Sequence, residues 1–331
     1  MSVQRSKRNQ TLSISPEEME TLRAGLHTPD RALSEEEMTN RVFSGDFFSI
    51  AEFLPERSVD LLILDPPYNL DKDFNGFKFN RISDGDYQEY IDRCLQRLLP
   101  VLKPAASVYL CGDWHCTAAL YAAAGKYLKI RNRITWQREK GRGALHNWKN
   151  CTEDIWFATV GNEYYFDPEA VKIRRKVIAP YKRHDGQPKD WEVTEEGNFR
   201  MTYASNFWDD VTVPYWSMPE NTEHPTQKPE KLIAKLILAS CPENGLVLDP
   251  FLGSGTSAVV AAKLKRRYCG IELNADYCCW ALKRLELAVR SPRIQGYYNG
   301  IFWERNSEPG RKTRKKPPES TGSCDASCSD C

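Results

Sequence analysis

Short apolar runs alternate with amphipathic stretches from Arg41 onward, and this alternation restricts the possible folds more than any other feature of the chain. The candidate strands lie in RVFSGD, VDLLILDPPY, ASVYLCGD, YLKIRNRITW and EDIWFATV. Amphipathic stretches such as YIDRCLQRLLPVL separate them. Strand and helix patterns in this order predict a mostly parallel sheet covered by helices, which is an α/β fold.

The pattern divides the chain into five parts. A polar N-terminal arm, residues 1–38, precedes one half of the α/β domain at residues 39–160. Residues 161–222 are poorly periodic and are predicted to form an insertion rather than a layer of the sheet. Regular patterning returns at residues 223–290, and residues 291–331 are predicted to be a basic, disordered tail.

Composition excludes a globally basic, histone-like protein and a membrane-spanning protein. Lysine and arginine number 46 against 45 acidic residues, so any binding to nucleic acid depends on local basic patches rather than on net charge. No run approaches the roughly 18 apolar residues of a membrane-spanning helix. The polar N-terminus has no secretory pattern, so the 11 cysteines are expected to be thiols in a reducing compartment.

A glycine-containing turn directly follows an apolar strand in LVLDPFLGSGTSAVVAAKL. Gly253 and Gly255 allow a tight turn before a helix of small residues, although a plain strand-to-helix turn would use glycines in the same way. Glu272 ends the next strand about twenty residues later, where an acid can accept hydrogen bonds from both ribose hydroxyls of an adenosine. Asp249, at the end of the first strand, favours a cationic or amine-bearing ligand over a pyrophosphate.

A second turn, Asp65-Pro66-Pro67-Tyr68, follows the run VDLLIL at the end of a predicted strand, where open α/β sheets bind their ligands. The two prolines remove two backbone donors and stiffen the turn, so it presents only acceptors. The Asp65 carboxylate and the Tyr68 ring complement an exocyclic amine on a planar base. Such a base is accessible only when it is flipped out of a duplex.

These motifs resemble those of the S-adenosylmethionine-dependent DNA amino-methyltransferases of bacteria. The turn at residues 65–68, the segment HPTQKP at residues 224–229 and the glycine loop at residues 249–256 occur in the order of the permuted β group. The similarity spans residues 41–288. It implies a Rossmann-like methyltransferase fold with a mixed, mostly parallel sheet, in which residues 161–222 are the inserted target-recognition region.

The resemblance also implies roles for individual residues. The implied catalytic residues are Asp65, Pro66, Pro67 and Tyr68. The residues implied to bind the cofactor, S-adenosyl-L-methionine, are Asp46, Asp65, Thr226, Lys228, Asp249, Phe251, Gly253, Gly255, Thr256 and Glu272. Within this set Glu272 matches the acid on the cofactor ribose and Asp46 the position near the adenine. Thr226 and Lys228 match residues near the methionine carboxylate. We assign no metal site.

The expected chemistry is direct methyl transfer to the exocyclic amine of a flipped adenine. Acceptors at Asp65 and the Pro66 carbonyl would stabilise the positive charge that develops on the nitrogen. Methylation of cytosine carbon 5 would require a cysteine nucleophile, usually after a proline, and the chain contains no Pro-Cys dipeptide.

The expected partner is double-stranded DNA, contacted by two basic segments. The predicted DNA-binding residues are Arg138, Lys140, Arg142, Lys149, Arg174, Arg175, Lys182 and Arg183. A solvated charged surface is the alternative interpretation of these segments. The family resemblance implies a bacterial cytoplasmic, nucleoid-associated enzyme that does not bind membranes. It leaves open whether a cognate restriction endonuclease exists and whether the enzyme is a monomer or a homodimer.

Three other functions remain open at this point. The first is methylation of cytosine N4 by the same mechanism, and Asp65 favours adenine because many cytosine-N4 enzymes have serine there. The second is an RNA or protein amino-methyltransferase, for which Asn-Pro-Pro-Tyr is the usual turn. The third is a nucleic-acid-binding protein with a vestigial cofactor pocket, against which the acids Asp65, Asp249 and Glu272 argue.

Overall fold

A computed structural model of the chain describes residues 6, 8–74, 76–138, 145–178, 181–195, 197–305 and 307. The helices are α1 (Pro16–Ala24), α2 (Glu35–Met38), α3 (Phe47–Ile50), α4 (Asp84–Leu98), α5 (Thr117–Ala124), α6 (Glu230–Ser240), α7 (Thr256–Lys263) and α8 (Ala275–Arg290). The strands are β1 (Arg41–Ser44), β2 (Val59–Leu64), β3 (Lys72–Phe74), β4 (Phe77–Phe79), β5 (Leu102–Gly112), β6 (Lys129–Gln137), β7 (Thr152–Thr159), β8 (Ile173–Lys176), β9 (Glu192–Thr194), β10 (Gly197–Thr202), β11 (Phe207–Trp208), β12 (Leu246–Asp249), β13 (Arg267–Glu272), β14 (Tyr297–Tyr298) and β15 (Ile301–Trp303).

The central sheet contains, within the described residues, eight strands in the order β1-β13-β12-β2-β5-β7-β6-β11. Neighbours from β1 to β5 are parallel, whereas β7 is antiparallel to both β5 and β6. The apolar run of β2 is covered on both faces, because Leu61 and Ile63 join one core cluster while Leu62 and Leu64 join another. The predicted α/β fold with a mixed, mostly parallel sheet is confirmed.

Helices cover both faces of this sheet. Buried residues of α3, α4 and α5 pack with Leu62 and Leu64, and buried residues of α6 and α7 pack with Leu61 and Ile63. Helix α8 packs on α7 and on Val42 of β1. In the part of the chain that the structure describes, no helix combines the length and the apolar character needed to cross a bilayer.

Part of the predicted insertion builds a second sheet, whereas its strand β11 joins the edge of the central sheet, so the prediction that this region adds nothing to the sheet is wrong for β11. The strand order of the second sheet is β14-β15-β8-β10-β9, so it combines strands from within residues 161–222 with two strands that follow α8. The prediction of a disordered tail from residue 291 is therefore wrong for residues 297–303. Phe302 and Trp303 are buried, and the apolar area that they remove from water stabilises strand pairing there. Residues 308–331 lie outside the described ranges.

A buried ionic cluster joins the second sheet to α6. The ammonium groups of Lys231 and Lys235 lie 2.7 and 2.6 Å from the Asp210 carboxylate, and Lys231 also donates to the Trp303 carbonyl. Although burial opposes its ionisation, attraction to the two ammonium groups lowers the pKa of Asp210 to about 2. This cluster connects the second sheet to α6.

The N-terminal arm is docked on the domain over the part that the structure describes. Glu18 of α1 forms an ion pair with Lys283 of α8 at 2.6 Å, and Arg23 pairs with Asp276. The backbone N–H of Gln10 donates to the carbonyl oxygen of Trp216. These contacts attach the arm to α8 and to the region at residues 161–222.

Candidate active site

The glycine loop lies between β12 and α7, and its two glycines adopt left-handed conformations. Gly253 has φ 55° and Gly255 has φ 87°. A side-chain Cβ on Gly255 would lie 2.5 Å from the Cβ of Ala281, and one on Gly253 would lie 3.0 Å from the His224 ring. Both positions therefore require glycine for backbone conformation and for space. The loop therefore packs closely against α8 and against His224.

Two predicted cofactor acids end adjacent parallel strands, Asp249 on β12 and Glu272 on β13. Asp249 accepts hydrogen bonds from the Phe251 N–H at 3.0 Å and the Ser257 hydroxyl at 2.6 Å. Glu272 accepts from the Gly253 N–H at 2.7 Å. Burial raises the pKa of Glu272 and raises that of Asp249 to about 7. A buried and a half-buried carboxylate at one edge suit a ligand that brings positive charge and hydroxyl donors.

Three other predicted cofactor residues surround this loop. Asp46 caps α3, where its carboxylate accepts from the Ser49 N–H at 3.1 Å. The Phe251 ring packs 5.4 Å from that of Phe47, measured between ring centroids. The Thr256 hydroxyl donates to the Lys228 carbonyl at 3.1 Å. The structure thus brings the ends of β1 and β12 and the HPTQKP segment to one edge of the sheet.

Thr226 and His224 occupy the start of the HPTQKP segment. The Thr226 N–H donates to Nδ1 of His224 at 3.3 Å, and the imidazole ring packs edge-on against Tyr277. Burial lowers the pKa of His224 to about 3, so the ring is neutral at physiological pH. His224 lies against the glycine loop as a packing group that limits the room at Gly253.

Lys228 pairs directly with the carboxylate of the Asp-Pro-Pro-Tyr turn. Its ammonium nitrogen lies 2.9 and 2.7 Å from the two Asp65 oxygens and donates to the Tyr68 hydroxyl at 3.0 Å. Although burial disfavours its charged form, attraction to Asp65 and Glu153 raises the pKa of Lys228. Burial raises the pKa of Asp65, and the nearby ammonium opposes that shift. Lys228 therefore contacts both polar side chains of the predicted catalytic turn.

The sequence analysis missed Glu153, which completes this group of side chains. One carboxylate oxygen accepts from the Tyr68 hydroxyl at 3.0 Å and lies 3.4 Å from the Lys228 nitrogen. The other oxygen lies 2.6 Å from the Arg138 guanidinium. Glu153 is at the start of β7, and the antiparallel direction of that strand brings its first residues to the edge where the parallel strands end. In the sequence, this position is indicated by an acid at the start of the apolar run EDIWFATV.

Backbone contacts fix the shape of the catalytic turn. The buried Tyr87 of α4 donates its hydroxyl to the Pro67 carbonyl at 3.0 Å. The Asn69 side chain exchanges two hydrogen bonds of 2.9 Å with the backbone of Ile82, which closes the loop that contains β3 and β4. Pro66 follows Asp65 with no backbone donor of its own. These hydrogen bonds hold the turn in place, and the turn presents acceptors at the end of β2.

Arg284, which the sequence analysis also missed, supports the glycine loop from α8. Arg284 of α8 is buried and donates to the Ser254 carbonyl at 2.9 Å and to the Thr256 hydroxyl at 3.0 Å. Its other terminal nitrogen lies 3.1 Å from Glu230. These charge-assisted bonds connect the loop to two helices.

Some of the predicted DNA-binding residues are exposed, some have partners within the protein, and two lie outside the described residues. Lys149, Lys182 and Arg183 are exposed to solvent. Lys140 and Arg142 lie outside the described residues. The part of the first basic segment at residues 145–150 is fully exposed, and it includes Trp148 with 92% of its side chain accessible.

The other arginines of the two basic segments have partners within the protein. Arg138 pairs with Glu153, as described above. The guanidinium carbon of Arg174 lies 4.6 Å from the Phe199 ring centroid and 4.7 Å from that of Trp303. Arg175 lies 3.4 Å from Asp209. Their assignment as DNA contacts stays a prediction.

The fold and the site together define a class of protein. A glycine loop flanked by two acids lies beside a rigid acceptor turn on a Rossmann-like sheet, which is the arrangement of a methyltransferase that acts on an amino group. Residues 59–283 match the N6/N4 DNA methylase family, and the chain belongs to that family.

Known proteins agree with this assignment. The chain is 30% identical over 254 residues to the DNA adenine methyltransferase YhdJ of Escherichia coli (strain K12), a match that covers 75% of this chain and 83% of that protein. It is 31% identical over 252 residues to the Type II methyltransferase M.HpaI of Haemophilus parainfluenzae, with 75% of each chain covered. The PvuII DNA methyltransferase (cytosine-N4-specific) has the same fold, with a TM-score of 0.56 at 15% identity over 78% of this chain and 89% of that chain.

Proposed function

We propose that this protein transfers a methyl group from S-adenosyl-L-methionine to the N6 amine of a flipped adenine in double-stranded DNA. The observation that carries the proposal is the position of the Asp-Pro-Pro-Tyr turn. Its acceptors stand at the strand edge beside the glycine loop, where β12 ends in the buried Asp249 and β13 ends in the half-buried Glu272. One edge of the sheet thus offers a nucleoside site and an amine-binding turn.

The residues present fit the cofactor. The glycine loop turns tightly between β12 and α7 in left-handed conformations, and Glu272 beside it supplies a carboxylate suited to ribose hydroxyls. Asp249, whose pKa burial raises, would gain from the positive charge that the ligand carries. When bound, S-adenosyl-L-methionine supplies a methyl group activated by its sulfonium.

The protein's part in the reaction is to orient the amine and stabilise its developing charge. Asp65 and the Pro66 carbonyl accept the two amine hydrogens, which favours a tetrahedral nitrogen with an available lone pair. Tyr68 offers its ring to the flipped base, and stacking offsets part of the cost of removing that base from the duplex. No covalent bond between enzyme and base is needed.

The choice of adenine rests on Asp65. The relative YhdJ is named a DNA adenine methyltransferase, which supports this choice. Cytosine N4 is the alternative target, because its amine presents the same two hydrogens to the same acceptors. The fold shared with a cytosine-N4 enzyme is compatible with both bases.

We propose that the exposed cations Lys149, Lys182 and Arg183 contact DNA phosphates. The second sheet, which is built largely from residues 161–222, would carry the target-recognition contacts. Contacts to phosphates release counterions from DNA. Replacing Lys149, Lys182 or Arg183 by glutamine should therefore weaken DNA binding and reduce the salt dependence of the affinity for DNA.

The decisive experiment is nucleoside mass spectrometry on DNA from cells that lack other DNA methylation and express this chain. We expect N6-methyladenine to rise with the wild-type protein and to be absent with Asp65→Ala, while S-adenosyl-L-methionine binding by the purified variant is largely retained. A rise in N4-methylcytosine would establish the alternative base. If neither nucleoside rises, the proposal is wrong.

A further inference from the structure

We propose that Glu153 is a positioning residue for methyl transfer, whose charge keeps Lys228 from neutralising Asp65. This inference rests on the proposed function, because it concerns how Asp65 remains an effective acceptor for the target amine. Neither the motifs nor the matched family ranges assign a role to Glu153. The argument depends on the contacts among four buried or half-buried charged groups.

The first step concerns Lys228 and Asp65. The Lys228 nitrogen lies within 2.9 Å of both Asp65 oxygens, and only 9% of the lysine side chain is exposed. An ammonium at this distance offsets most of the field of a single carboxylate. The target nitrogen gains positive charge as the methyl group is transferred, so a neutralised Asp65 would stabilise that charge poorly.

The second step concerns the additional negative charge. Glu153 lies 3.4 Å from the Lys228 nitrogen and is itself 6% exposed in its side chain. With Glu153 present, two carboxylates share the Lys228 ammonium, whereas without Glu153 the ammonium would face Asp65 alone. Arg138 binds the far oxygen of Glu153 from a more exposed position, where solvent weakens its field.

The third step is geometric. The Tyr68 hydroxyl accepts from Lys228 at 3.0 Å and donates to Glu153 at 3.0 Å, so it lies between the two. The Glu153 oxygen that accepts from Tyr68 also lies 3.4 Å from the Lys228 nitrogen. Glu153 thereby holds the tyrosine ring that faces the base and offers the ammonium a second partner when Asp65 binds the amine.

The test compares Glu153→Gln with a matched change at the next residue. Glutamine keeps one oxygen as an acceptor for the Tyr68 hydroxyl, removes the charge, and replaces the oxygen that pairs with Arg138 by an amide NH2. Asp154→Asn serves as the control, because Asp154 is on the same strand and binds the hydroxyls of Thr117 and Thr135, away from the cluster. Both proteins would be assayed for kcat, KM for DNA and affinity for S-adenosyl-L-methionine.

We expect Glu153→Gln to lower kcat by about 10- to 100-fold, less than the loss of a group that touches the reacting atoms, with KM and cofactor affinity within about threefold of wild type. Glu153→Asp should recover part of the rate, and Asp154→Asn should stay within about threefold of wild type. In a Lys228→Met background, Glu153→Gln should have little further effect, because the charge it balances is gone.

Several results would overturn the inference. One is a kcat for Glu153→Gln within about threefold of the wild-type value. A second is an equal cost of Glu153→Gln with and without Lys228, which would indicate a purely structural role. A wild-type enzyme that methylates neither adenine nor cytosine in DNA would refute the proposed function itself, and this inference with it.

Discussion

Gly255 offers a quantitative test of why the cofactor loop requires glycine. Its φ of 87° lies in the left-handed region, where a side chain costs about 1–2 kcal/mol. In addition, a Cβ would lie 2.5 Å from the Ala281 Cβ and 2.7 Å from its Cα, and overpacking of this kind costs about 1–3 kcal/mol. Gly255→Ala should therefore lower the free energy of unfolding by about 2–5 kcal/mol.

A matched control separates these two contributions. Gly186 has φ 81°, close to that of Gly255, but nothing lies within 4 Å of its potential Cβ. Gly186→Ala should cost only the conformational term of about 1–2 kcal/mol. The difference between the two variants, about 1–3 kcal/mol, measures the contact with Ala281.

The assay is urea unfolding of the ligand-free protein, followed by circular dichroism. With an m-value of roughly 3 kcal/mol/M, Gly255→Ala should lower the midpoint by about 0.7–1.7 M. Equal losses for the two variants would refute the reasoning, because they would mean that α8 moves away from the loop at no cost.

Three further predictions concern buried charges. Burial raises the pKa of Asp249 from 3.8 to about 7. Between these two values the folded protein keeps a proton on Asp249 that the unfolded chain releases. The free energy of unfolding therefore falls as pH rises from about 4 to about 7. Asp249→Asn should flatten this dependence in unfolding midpoints measured between about pH 5 and pH 8, and an unchanged slope would contradict the assignment. Asp210→Asn leaves two buried ammonium groups without a counter-charge and should lower the free energy of urea unfolding by about 3–5 kcal/mol, whereas the more exposed Asp209→Asn should cost about 0–1 kcal/mol. Arg284→Lys should weaken S-adenosyl-L-methionine binding about tenfold in isothermal titration, because its bonds to the Ser254 carbonyl and its neighbours are lost; an unchanged affinity would show that the loop holds its shape unaided.

The sequence predicted the parts of the site that depend on local pattern. An apolar run followed by Asp65 or Asp249 indicates both a strand and the acid at its end, and glycines at 253 and 255 indicate the turn. Each of these features requires only a few consecutive residues. The structure therefore has them where the sequence analysis expected them.

The missed parts depend on pairing between distant segments. Glu153 lies at the active edge only because β7 runs antiparallel to β5, and strand direction is not encoded in the apolar pattern of EDIWFATV. Residues 297–303 form strands because β15 pairs with β8, which is more than a hundred residues away in the chain. The basic residues that follow them in the sequence predicted a disordered tail instead.

Lys228 explains how three motifs can act together although they are far apart in the sequence. Its carbonyl accepts from Thr256 at the end of the glycine loop, and its ammonium binds Asp65 in the catalytic turn. The residue that follows, Pro229, caps α6, so the backbone of Lys228 is fixed by a buried helix. The Thr256 hydroxyl therefore connects the glycine loop to the backbone of the lysine whose ammonium pairs with Asp65. This connection depends on the sheet order, which brings the three segments to one edge.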